Sequence, residues 1–180
     1  MKQIRRGVFE TNSSSTHSIC ISKAPVTAGK YISFGIGEYG WENDCVDTTD
    51  YLYTAILEQP DRDELLERLK NILDDNHIVY EFEEPKYWIS DNGDKYLEEG
   101  YIDHSCETRE FINAVLSDTD MLMRCLFGNS YVYTGNDNSS SYNNRCYSAY
   151  ETIWDEDDYQ KKISNHNHDP ANYDYFFKGN

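Results

Sequence analysis

A polar run, Thr11-Asn12-Ser13-Ser14-Ser15-Thr16, passes directly into the alternation His17-Ser18-Ile19-Cys20-Ile21-Ser22. A side-chain period of two puts His17, Ile19 and Ile21 on one face of a strand and Ser18, Cys20 and Ser22 on the other. The segment therefore reads as a structured loop that delivers one imidazole to an interior position. Upstream, Arg5 and Arg6 are not followed by an apolar block of about seven residues or more, so no leader peptide is expected.

The next apolar stretch, Tyr31 to Ile36, also reads as a strand. With only a short turn at Pro25 to Lys30 before it, the two strands are expected to pair antiparallel. Gly35, Gly37 and Gly40 then surround Glu38 and Tyr39. They form a tight corner and not a phosphate cradle, because the lysine and the following helix of such a loop are missing. Thr48 or Thr49 is placed to start a helix through Leu57. Leu65, Leu66, Leu69, Ile72 and Leu73 recur at helical spacing and predict a helix from Pro60 to Asp75. His77 to Phe82 reads as a strand, and Asp91-Asn92-Gly93-Asp94 as a hairpin tip between Tyr87-Trp88-Ile89 and Lys95-Tyr96-Leu97. Beyond a short strand at Tyr101 to His104, helices are expected over Thr108–Leu116 and Thr119–Phe127, with Gly128 as the stop. A strand over Ser130 to Thr134 and a turn at Gly135 to Asn138 follow. Asp155 to Asp158 is expected to begin a last short helix, and residues 165–180 a peripheral tail. No repeat or linker divides residues 1–180, so the expectation is one α+β domain with a mostly antiparallel sheet and several helices.

The formal charge is −17, a field that repels nucleic acid and anionic membranes and favours a basic protein surface. Sixteen tyrosines carry much of the apolar area, and their polar tips suit half-buried and contact positions. The five cysteines include no C-x-x-C pair, which fits reduced thiols. No apolar run approaches bilayer length.

His17 and His104 each share a strand face with isoleucines, so both imidazoles are expected in the interior. Interior imidazoles need partners, and two of them can share a cation such as zinc. The preferred ligand set is Glu10, His17, Glu38 and His104, with Asp137 and Cys106 in reserve. The alternative is that both imidazoles hydrogen-bond within the core. A water activated by the ion would make the chain a metal-dependent hydrolase. A serine nucleophile from Ser13 to Ser15 is disfavoured, since no glycine-flanked elbow holds it. His166-Asn167-His168-Asp169 resembles a metal tract, though its terminal place favours a solvated role.

The run Arg5 to His17 resembles the amino-terminal signature of a family of small phage and prophage proteins of low-GC Gram-positive bacteria. Gly37-Glu38-Tyr39-Gly40-Trp41, Tyr101-Ile102-Asp103-His104-Ser105 and Thr134-Gly135-Asn136-Asp137-Asn138 look like further blocks of that family. The resemblance implies that Glu10, His17, Glu38, Asp103, His104 and Asp137 converge on one site. Some members of the group look like anti-CRISPR proteins directed at type II effectors. The implied role is a stoichiometric, non-enzymatic inhibitor of a Cas9-type effector, acting in the cytoplasm of the infected bacterial host. Such effectors hold nucleic acid in a positively charged channel, which an acidic protein can block. The clusters Asp44, Asp47 and Asp50, and Asp155, Glu156, Asp157 and Asp158, are the expected contact surfaces, with the zinc site structural. A third expectation is an acidic structural or accessory phage protein.

Overall fold

The computed structural model of the chain describes residues 15–40, 44–103, 108–136 and 171–178. Its centre is a four-stranded antiparallel sheet of β1 (Ser15–Ser22), β4 (Asp44–Val46), β9 (Tyr131–Asn136) and β10 (Tyr173–Lys178) in the order β10-β1-β9-β4. Against it pack α1 (Thr48–Leu57), α3 (Arg109–Ser117) and α4 (Thr119–Phe127), with α2 (Arg62–Asp75) beside α1 and α3. The fold is a single-domain α+β arrangement, as the element pattern predicts.

The predicted pairing of the first two strands does not form. β1 is flanked on both sides, by β9 through His17↔Thr134 and by β10 through His17↔Lys178. β2 (Tyr31–Phe34) instead runs parallel to β5 (Val79–Phe82), and β3 (Glu38–Tyr39) parallel to β8 (Tyr101–Ile102). Parallel neighbours need a long crossover, and α1 and α2 lie in the chain between the members of each pair. The expected peripheral tail contributes β10, which hydrogen-bonds along β1 from His17 to Ser22.

α1 is buried on every side, including Tyr51, Leu52, Tyr53, Ala55 and Ile56. Such a helix belongs in a core. The Asp47 carboxylate caps it by accepting from Thr49 N at 2.7 Å, and the Thr48 hydroxyl donates to the carbonyl of Cys125 on α4. Ile19, Ile21 and Val132 from the sheet join Leu65, Leu69 and Leu73 of α2, Phe111 and Ile112 of α3, and Leu122 of α4 in one apolar cluster. Each such side chain contributes about 1.5–3 kcal/mol on burial. Arg109 grips both oxygens of Asp61 at 2.5 and 2.6 Å, tying the start of α3 to the start of α2. Arg124 donates to Ser22 O at 2.9 Å and to Asp174 at 3.2 Å, locking α4 to the ends of β1 and β10.

The leucine-rich helix begins at Arg62, two residues inside its predicted start at Pro60. After it, His77 adopts φ 57° in a left-handed turn, so the strand opens at Val79 and not at His77. The hairpin forms as predicted, from β6 (Tyr87–Ile89) and β7 (Lys95–Leu97), with Trp88 opposite Tyr96.

Candidate functional site

His17 is fully buried (0% exposed), and its Nδ1 lies 2.5 Å from the hydroxyl of Tyr51 on α1. Strand alternation puts the imidazole on the face shared with Ile19 and Ile21, while the burial of α1 carries Tyr51 to the same place. The Tyr51 ring lies 5.1 Å from that of Tyr39 and 6.3 Å from that of Phe111. Tyr39 in turn is held by β8: its backbone pairs with Ile102, and its carbonyl accepts from Asp103 N at 3.1 Å. A continuous path of ring contacts and backbone bonds thus runs from His17 through Tyr51 and Tyr39 to the residue before His104.

The glycine corner is built onto α1. Gly35 N donates to Asp50 Oδ1 at 2.7 Å and Gly37 N to Thr54 Oγ1 at 3.1 Å, while Gly37 O accepts from Tyr101 N at 3.0 Å. These bonds set the height of β3 and therefore the place of Tyr39.

Of the predicted ligands, His17 and Glu38 lie among the described residues, whereas Glu10, His104, Cys106 and Asp137 lie outside them. Glu38 is exposed, and alternation sends its side chain to the face opposite Tyr39. Among the described residues no group of three or more His, Cys, Asp or Glu is arranged to hold a metal ion. Because Nδ1 of His17 is engaged by Tyr51, any ligand role falls to Nε2.

The predicted contact carboxylates divide similarly. Asp44 opens β4, Asp47 caps α1 and Asp50 accepts from Gly35, so the last two serve backbone N–H groups. Asp155, Glu156, Asp157 and Asp158 lie outside the described residues. A different acidic surface is exposed on α2 and β5. α2 exposes Asp63, Glu64, Glu67, Asp74 and Asp75 around Lys70, and Glu81, Glu83 and Glu84 are exposed on and after β5. A groove of ≈ 350 Å³ bordered by Tyr53, Lys70, Phe82 and Glu84 lies in this region. In the sequence this surface is divided among short runs, Asp63-Glu64, Asp74-Asp75 and Glu81 to Glu84, at the two ends of α2 and on and after β5. Tyr51 escapes a sequence reading, standing 34 residues from its imidazole partner with no local sign of the contact.

The buried hydroxyls and thiols resist ionisation. Burial pushes the Tyr39 hydroxyl well above its ordinary value, helped by the negative charges of Asp50 and Asp47. Burial likewise raises Tyr53 to about 12 and Cys125 to about 12, and it raises Cys20 still further. A raised acid favours the folded state while it stays protonated. That stabilisation is whole below the ordinary values of 9.0 for cysteine and 10.0 for tyrosine, and it is lost as pH climbs toward 12. The unfolding free energy is therefore expected to fall between pH 9 and pH 12 through these groups. Urea unfolding at a series of pH values measures it, and a level profile to pH 12 would contradict the burial of these groups.

Among the described residues no helix is long and apolar enough to cross a membrane. No protein-family model, curated protein or solved structure matches the chain.

Proposed function

We propose that the protein is a stoichiometric inhibitor that docks on the basic nucleic-acid channel of a Cas9-type effector and blocks loading of that channel, as a phage counter-defence protein in the bacterial cytoplasm. The observation that carries the reading is electrostatic: a net charge of −17, with exposed carboxylates spread over α2 and the β5 region. Such a surface is attracted to a channel built for phosphates and is repelled by the phosphates themselves. The likeness of the Arg5-to-His17 run to phage proteins supports the choice of effector.

In this reading a zinc ion held by His17 and His104, with the Glu10 carboxylate as a further ligand, has a structural role. Complete burial of His17 favours that role over hydrolysis, which requires an open coordination position for water. Glu38, on the exposed side of β3, is the member of the expected set least suited to join them.

Co-purification with a Cas9-type effector free of guide RNA tests the proposal. Retention at low salt and release at moderate salt is the expected pattern, because exposed charges are screened over about 8–10 Å near physiological ionic strength. Absence of a complex at every salt concentration would reject it.

A further inference from the structure

Among the described strands, the β6–β7 hairpin pairs only within itself. A lone two-stranded hairpin is marginal in water, so its order needs side-chain causes. On the face turned to the body, Leu97 packs against the core cluster, and the Tyr87 ring lies 5.0 Å from the Arg62 guanidinium of α2 and 4.0 Å from Lys95 Nζ. At the tip, Gly93 adopts φ 89°, Ser90 N donates to Asp94 O at 2.8 Å, and Asp94 N donates to the Ser90 hydroxyl at 3.0 Å. Alternation then turns Trp88 and Tyr96 away from the body. Their rings stack at 4.8 Å and 21°, yet remain 40% and 47% exposed.

An ordered, exposed pair of large aromatic rings is the composition of an interface hot spot and not of an ordinary surface. Its surroundings specify the charge of what it meets. Asp91, Asp94 and Glu98 are exposed around it, while the nearby cations are engaged: Lys86 with Glu99 at 3.3 Å, and Lys95 with the Tyr87 ring. A guanidinium satisfies both halves of this surface, lying flat on an indole or phenol while donating paired hydrogen bonds to a carboxylate. An ammonium, more strongly hydrated and without a planar face, satisfies mainly the charge.

We infer that the Trp88–Tyr96 face of the hairpin is a docking surface for an arginine-bearing strip of a basic protein partner. The inference rests on the reading of the chain as a ligand of a basic protein surface, and it names where contact is made and which cation is read.

Full-length protein is titrated with oligoarginine and oligolysine peptides of equal length, and binding is followed by calorimetry. Oligoarginine is expected to bind about tenfold more tightly than oligolysine, and Trp88→Ala and Tyr96→Ala each to weaken oligoarginine about tenfold. Trp88→Leu and Tyr96→Leu, which keep apolar bulk but lose the flat ring, keep the test open should either alanine variant melt early, and each is expected to weaken binding severalfold. Equal affinity for the two peptides, or unchanged affinity in the variants, overturns the inference. So does gel filtration in which the wild type is a dimer and Trp88→Ala a monomer, since the face would then belong to a second copy. An effector complex that survives Trp88→Ala and Tyr96→Ala unchanged rejects the hairpin while leaving the electrostatic reading intact. Arginine selectivity without any effector complex rejects the effector and keeps the hairpin.

Discussion

Replacing Tyr51 by alanine should lower the unfolding free energy by about 4–8 kcal/mol, a large part of the roughly 5–15 kcal/mol that holds a domain together. Two causes add. Removing a fully buried aromatic ring from α1 leaves a cavity among Tyr39, Phe111 and the sheet, which by itself costs about 3–5 kcal/mol. Removing the hydroxyl also takes away the 2.5 Å contact with His17 Nδ1, inside a site with no exposure at either residue. Tyr51→Phe separates the two causes, because it keeps the ring and loses only the bond, at about 1–3 kcal/mol. Urea unfolding of both variants gives the numbers. A Tyr51→Phe protein as stable as the wild type would mean that the imidazole does not depend on the phenol. The zinc proposal adds a second readout. A phenol that orients Nδ1 would act on a metal held at Nε2, so Tyr51→Phe should weaken zinc about 10–100-fold. His17→Ala and His104→Ala should abolish zinc altogether; zinc measured at wild-type content in either histidine variant would remove that histidine from the site.

Gly100→Ala should be the most damaging glycine-to-alanine change among the described residues. Gly100 adopts φ 84°, in the left-handed region that a Cβ disfavours by about 1–2 kcal/mol. Its Cβ would also overlap Ile36 Cγ2 and lie 3.1 Å from the Gly37 carbonyl. That carbonyl accepts the bond from Tyr101 N, so relief of the clash must separate β3 from β8. Overpacking of this kind adds about 1–3 kcal/mol, for a total near 2–5 kcal/mol. Hydrogen exchange at the amides of Tyr101 and Asp103 should accelerate before the rest of the sheet is affected. A loss below about 0.5 kcal/mol, the range of an ordinary surface change, would contradict the packing of this corner.

What the sequence makes legible is local. The leucine spacing of α2, the two short helices ending at Gly128 and the Asp91-to-Asp94 hairpin tip are each specified by residues a few positions apart, and each is found where those residues place it. The alternation from His17 to Ile21 likewise foretells which face the imidazole takes. Strand partners are different in kind. Nothing between Ser22 and Tyr31 states that β1 will take both neighbours from the far end of the chain, or that Tyr173 to Lys178 will supply one of them. A period-two pattern says which side chains are buried but not against what. For the same reason Tyr51 and Tyr39 emerge only once the helices are placed, and the carboxylates of Asp47 and Asp50, prominent in the sequence, prove to serve backbone amides.

A loading experiment measures the proposed inhibition itself. Effector protein without guide RNA is incubated with this chain at low salt, guide RNA is added, and bound RNA is measured against protein concentration. The proposed role predicts that RNA loading falls to zero near one chain per effector and recovers as salt is raised. Full loading in the presence of excess chain, at a salt concentration where the chain itself remains bound, would contradict it.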